Sequence, residues 1–336
     1  MSNSSHLALV TGATGFIGRR LAERLLNDGW QVRLLVRDPR RLDTAMAARC
    51  QVFAGDVTQA ETLFAPLDGV SHVFHCAANV HTWDRWDAYE AVNVRGVENL
   101  MLAVAACRER PRVLHVSTVD VYGFPVDPCD ETCPATGGEF GYGRSKAIGE
   151  HRAQDICQAA GIALTVIRPC NVIGPGSQFI SRIGSELASG LMIRIDGGRV
   201  HAGLIHVDNL VDDMLWAATA NTAIGKVYNT RDGGEMTWNQ FLTDFRRMIG
   251  GRGAIISLPF WLADFLASGF ELAQRMLRRD SEPMLHRLLV RLFGRTCGHR
   301  IRKIRDDRGE HARIDYATAM QQSVAWFIAK RHRSGK

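Results

Sequence analysis

The chain has 336 residues, 46% of them hydrophobic and 23% charged, which excludes disordered and collagen-like classes and suits one large domain or two modest ones. The net charge of +6 is uneven: residues 273–308 hold eleven Lys/Arg against four Asp/Glu, leaving the rest near −1. A pI near 9.0 therefore reports one basic C-terminal segment, and a nucleic-acid partner is not expected.

The start, Met1 to Val10, carries neither a basic n-region nor a small-residue cleavage site, so an unexported, cytoplasmic protein is expected. His6–Val10 reads as an apolar strand, and Gly15–Asn27 as a helix stopped by Asp28-Gly29. Further strands are predicted at Gln31–Val36, Cys50–Ala54 and Val70–Cys76, then a helix over Asp87–Arg108. Arg112–Ser117 is a fifth strand, Tyr142–Ala160 a helix and Ala163–Arg168 a sixth strand. This alternation predicts a doubly wound α/β fold with a parallel sheet. After Gly174-Pro175-Gly176 the pattern becomes irregular. Eight scattered cysteines, with Cys129/Cys133 lacking a second pair, predict reduced thiols and no metal site.

Two motifs carry chemistry. Gly12, Gly15 and Gly18 sit between the first strand and helix, where glycines let a pyrophosphate approach the backbone N–H groups of a helix N-terminus. The Tyr142/Lys146 spacing puts a phenol and an ammonium on one helix face. There the lysine is expected to lower the tyrosine pKa from near 10. The hydroxyl of Thr118, ending the fifth strand, is suited to hold a substrate oxygen during proton exchange.

With these motifs the chain resembles the extended short-chain dehydrogenase/reductase superfamily over nearly its whole length. The resemblance extends to Asp56-Val57, His75-Cys-Ala-Ala78, Asn93-Val-Arg-Gly96, Val116-Ser-Thr-Val-Asp-Val-Tyr-Gly123, Arg168-Pro-Cys-Asn-Val-Ile-Gly-Pro175 and Ile205-His-Val-Asp208. It implies a Rossmann-type nucleotide-binding unit at residues 1–175. Residues 176–336 would form a smaller, mostly helical substrate-binding portion, with some segments returning to the first unit. It implies catalysis by Thr118, with Ser117 as the fallback, Tyr142 and Lys146. Cofactor contacts are implied for Gly12, Thr14, Gly15, Phe16, Ile17, Gly18, Asp56, Val57, Ala77, Ala78, Asn93, Pro169 and Val172, besides Tyr142 and Lys146.

Within the superfamily the chain looks like the 3β-hydroxysteroid dehydrogenase-like branch. Ala202 stands where sugar-nucleotide epimerases commonly carry a phosphate-binding arginine, and Thr118-Val119-Asp120 replaces the Thr-Asp-Glu of the dehydratases. His81, Trp83, Trp86 and Asn171 are the substrate-contact candidates. The position where NAD-preferring relatives carry an acid is Val36, followed by Arg37, a planar cation suited to a 2′-phosphate. NADP is therefore the expected cofactor, with NAD as the alternative that nearby Asp38 keeps open. The expected activity is interconversion of a secondary alcohol and a ketone on a hydrophobic substrate, steroid-like, β-keto or aryl. Two other readings use the same residues: a sugar-nucleotide epimerase and a non-catalytic NAD(P)-binding protein. A homodimer through the helices near 87–108 and 142–160 is implied by the resemblance. The apolar and basic stretch 258–308 is expected to pack in the core, to cover a greasy pocket or to touch an anionic membrane surface.

Overall fold

The computed structural model describes residues 6–277, 281–310 and 312–334, so Arg278, Arg279 and Asp280 of the basic segment lie outside the described residues. Short apolar runs form β1 (Leu7–Thr11), β2 (Gln31–Val36), β3 (Gln51–Ala54), β4 (His72–His75), β5 (Arg112–Val116) and β6 (Leu164–Pro169). They are followed by β7 (Asn171–Ile173), β8 (Leu191–Ile195), β9 (Leu204–His206), β10 (Val227–Thr230) and β11 (Ala254–Leu258). The main sheet is parallel, in the order β10-β6-β5-β4-β1-β2-β3. Its winding reverses between β1 and β4, and sheets of this kind bind ligands in the crevice beyond the strand ends at that reversal.

The six strands predicted from sequence are present, with ends moved by at most two residues. Both faces of a parallel sheet are covered, so its strands read as near-continuous apolar runs. Strand β10 lay unrecognised in the irregular half, because Val-Tyr-Asn-Thr is too short and polar to stand out. The helices Phe16–Asn27 and Val207–Thr219 cover one face, burying Leu21, Leu25, Leu210 and Met214 against Val10, Val32 and Leu34. Gly96–Ala105 and Gly141–Ala160 cover the other through Leu100, Val104, Ala153 and Cys157.

The helix expected at Asp87–Arg108 is interrupted. Trp86–Glu90 runs into a π-helical turn, Ala91–Arg95, before Gly96–Ala105 resumes. The turn presses on the neighbouring helix at Gly149, where a Cβ would lie 1.9 Å from the Asn93 carbonyl oxygen. A separate core of Trp238, Phe241, Phe245, Phe293 and Phe327 joins the helices Gln178–Ser189, Trp238–Met248, Arg287–Gly294 and Tyr316–Ser334. Among the described residues, no helix is long and apolar enough to cross a membrane.

Candidate active site

A cavity of about 1670 Å³ runs from the glycine loop after β1 to the C-terminal helical core. Gly12 has φ +74°, and a Cβ there would lie 2.7 Å from the Ala77 backbone nitrogen. A Cβ on Gly18 would lie 2.4 Å from the Gly12 carbonyl oxygen, so both positions demand glycine. The helix Phe16–Asn27 starts from Gly15 with no side-chain cap and no acid in its first turn. Its free N–H groups and dipole face the cavity, which Gly12, Thr14, Gly15, Phe16, Ile17 and Gly18 all line. This cradle fits the pyrophosphate of a dinucleotide. The Thr11 hydroxyl accepts from Ala77 N–H at 3.2 Å and meets His75 Nδ1 at 2.8 Å, fixing the Ala77-Ala78 turn beside the loop. His75 is buried and held neutral, its pKa pulled down to about 3 by burial and by Lys146.

At the other end of the cradle, Arg37, Asp56 and Val57 line the cavity. Asp38 is turned away: its carboxylate accepts from Arg40 at 2.8 and 3.0 Å and caps the turn Pro39–Arg41. Arg19 is held by Glu23 at 3.1 Å and Asp43 at 2.7 Å. Arg37 forms no ion pair with another described residue.

Thr118 follows β5 with its hydroxyl in the cavity wall, accepting from Asp120 N–H at 3.2 Å. The hydroxyl of Ser117 is buried without a partner among the described residues, and Ser117 does not line the cavity. Tyr142 lines the same cavity at the head of the helix Gly141–Ala160. One turn on, Lys146 is 2% exposed and donates to the Val116 carbonyl oxygen at 2.7 Å. Burial lowers its pKa to about 8, against the pull of Glu150.

The expected lowering of the Tyr142 pKa is corrected here. Burial raises it first, Asp120 raises it further, and the nearby Thr118 hydroxyl offsets only part of this. Lys146 spends its charge on the Val116 carbonyl rather than on the phenol. Asp120 also lines the cavity, and burial pushes its own pKa up to about 7.

His81, Trp83, Asn171 and Val172 line the cavity, whereas Trp86 does not. Its ring instead lies 5.1 Å from the Arg144 guanidinium at the start of its helix. Asn93 and Pro169 lie behind the wall. Asn93 works as a clamp, accepting from Asn79 N–H at 2.8 Å and donating to Asn79 O at 2.9 Å and Ser145 Oγ at 3.0 Å. The end of the cavity away from the glycine loop is apolar, with Phe179, Ile183, Met192, Leu288, Leu289 and Phe293. Glu282 closes that end: it accepts from Thr82 at 2.8 Å and Arg182 at 2.7 Å and meets His286 at 2.9 Å. Neither Asp120 nor Glu282 was singled out from sequence. The only available sign for Asp120 was its place two residues after Thr118, and Glu282 joins partners 100 and 200 positions away.

The NAD dependent epimerase/dehydratase family matches over residues 8–230. The chain belongs to that family. A 4-hydroxy-2-methyl-3-oxo-4-farnesyl-3,4-dihydroquinoline-1-oxide ketoreductase of Stigmatella aurantiaca is 30% identical, over 91% of this chain and 92% of its own. A 3 beta-hydroxysteroid dehydrogenase/Delta 5-->4-isomerase of Mycobacterium tuberculosis is 27% identical, over 96% and 90%. In fold the chain resembles MoeE5, solved with UDP-glucose and NAD, with a TM-score of 0.75 at 22% identity over 97% and 100% of the two chains. The chain is an NAD(P)-dependent oxidoreductase of the extended short-chain dehydrogenase/reductase type, with 3β-hydroxysteroid dehydrogenase-like and ketoreductase relatives.

Proposed function

We propose that the protein reduces hydrophobic ketones to secondary alcohols with NADPH, and runs the reverse oxidation with NADP. The observation that carries this reading is the union, in one cavity, of Thr118 and Tyr142 with an apolar wall from Phe179 to Phe293. Greasy walls with a few converging polar groups suit a largely apolar small molecule. The relatives named as a farnesylated dihydroquinoline-oxide ketoreductase and a hydroxysteroid dehydrogenase support steroid-like, β-keto or aryl ketones as the class. Ala202 is fully buried and does not line the cavity, which argues against the sugar-nucleotide alternative.

Gly12, Gly15 and Gly18 would hold a nicotinamide dinucleotide, which would supply the hydride for the carbonyl carbon. Thr118 and Tyr142 hold the carbonyl oxygen, and the Tyr142 phenol gives it the proton. A phenol whose pKa is raised stays protonated at neutral pH and so holds the proton it would give. Lys146 is outside the cavity lining and ties the helix to β5 through the Val116 carbonyl oxygen; it would meet the ribose hydroxyls of a bound cofactor only from this buried position. Arg37 would take the 2′-phosphate, since Asp38 and Arg19 are already paired. The homodimer would form through the interrupted helical stretch 86–105 and the helix Gly141–Ala160, whose surface includes exposed Leu102.

A panel of steroid ketones, β-keto esters and aryl ketones, scored by NADPH consumption, tests the reading. Turnover of one class is expected. Retained cofactor that never exchanges hydride with any ketone overturns it.

A further inference from the structure

The helix Phe260–Met276 is inside out. Its protein-facing side carries Ala263 and Ala267 with the polar Asp264 and Glu271. Asp264 pairs with Arg291 at 3.0 Å and Arg287 at 3.5 Å, and Glu271 accepts from Arg287 N–H at 2.8 Å. Its large apolar residues point outward: Trp261 is 70% exposed, Phe265 72% and Met276 75%, with Phe270 and Leu272 beside them. A helix facing water has the opposite arrangement, and soluble proteins rarely leave so continuous an apolar stripe uncovered.

We propose that this face seats on an anionic lipid membrane, with the cavity mouth turned toward the bilayer. Two observations favour lipid over a second copy of the chain. In sequence, residues 273–308 hold eleven Lys/Arg against four Asp/Glu, a basic surplus that, beside exposed aromatic residues, suits the headgroup region of anionic membranes. Finally, an exposed apolar side chain outside that helix leads into the cavity. Met284 is 69% exposed and also lines the cavity, and Leu288 and Leu289 lead on from it. A lipophilic ketone dissolved in the bilayer would thus enter without crossing water. That last step rests on the proposed reductase activity, whereas the docking rests on the surface alone.

The full chain is sedimented with phosphatidylcholine vesicles, with and without phosphatidylglycerol, at low and high salt. Wild type is expected to pellet with the phosphatidylglycerol vesicles and to be released in part by salt. The double variant Trp261→Ser/Phe265→Ser should stay in the supernatant while consuming NADPH with a small water-soluble ketone as wild type does. Leu272→Ser/Met276→Ser, on the same face, provides an independent second variant. Wild type that stays in the supernatant at low salt overturns the docking. So does a wild-type dimer that Trp261→Ser/Phe265→Ser splits into monomers without any vesicle binding, since a second copy then covers the face. Pelleting without reduction of any ketone supports the docking and removes the reductase reading instead.

Discussion

The Lys146 ammonium donates to the carbonyl oxygen of Val116 at 2.7 Å, two residues before Thr118. That bond fixes the helix bearing Tyr142 against the strand end bearing Thr118, so Lys146 sets the spacing of the two hydroxyl groups. Lys146→Ala leaves a buried carbonyl unpaired, at about 1–3 kcal/mol. It should lower both turnover and NADPH affinity, measured by steady-state kinetics and cofactor titration. Unchanged cofactor affinity would remove Lys146 from the ribose site.

Asp120 gives a pH signature. Burial raises its pKa from 3.8 to about 7, so folding favours the protonated carboxyl. Its stabilising contribution is complete below the ordinary carboxylate range and is lost as pH rises through 7. Asp120→Asn should therefore raise the thermal midpoint of cofactor-free protein more in mildly alkaline than in mildly acidic buffer. The same change removes a charge that raises the Tyr142 pKa, so the alkaline limb of the reduction profile should move to lower pH. A profile and a midpoint that both stay fixed would show that Asp120 does not couple to the site.

Cofactor choice turns on Arg37. Because Asp38 is engaged by Arg40, Arg37→Ala should weaken NADPH by roughly tenfold, about 1.4 kcal/mol, and leave NADH nearly unchanged. Equal loss of both cofactors, or of neither, would contradict a 2′-phosphate contact.

Glu282 joins the 79–84 loop, the helix Gln178–Ser189 and the start of the Arg287–Gly294 helix through Thr82, Arg182 and His286. Its pKa is pulled down to about 2, chiefly by His286, so the contact persists across physiological pH. Glu282→Ala should open this end of the cavity, raising KM for bulky ketones and speeding proteolysis of the 79–84 loop. NADPH affinity should stay as in wild type. Unchanged KM and proteolysis would mean that Glu282 does not hold the cavity shut.

Much of the nucleotide half was legible because its signals are local. Parallel strands leave apolar runs, and Gly12 and Gly18 leave close-approach glycines whose Cβ atoms would strike backbone. Tyr142 and Lys146 leave a one-turn spacing. The substrate half was not legible, since its contacts are long-range and carry no period: Glu282 with Thr82, or Asn209 with Ile314. Trp86 illustrates the limit. Its sequence neighbourhood placed it with Trp83, but heading a helix turned its ring to Arg144 and out of the cavity. The Tyr142 pKa failed for a related reason: spacing gives proximity to Lys146, but only the structure shows the ammonium bonded to a carbonyl.

The central claim is that Tyr142 protonates a ketone oxygen while hydride reaches the carbonyl carbon. It is tested most directly with NADPH deuterated at C4 and the best ketone of the panel, comparing wild type with Tyr142→Phe by mass spectrometry of the alcohol. Wild type should place deuterium on the carbinol carbon, while Tyr142→Phe should bind NADPH normally and form that product roughly 10²–10⁴-fold more slowly. Wild-type rates in Tyr142→Phe, or an alcohol formed without deuterium at that carbon, would contradict the account.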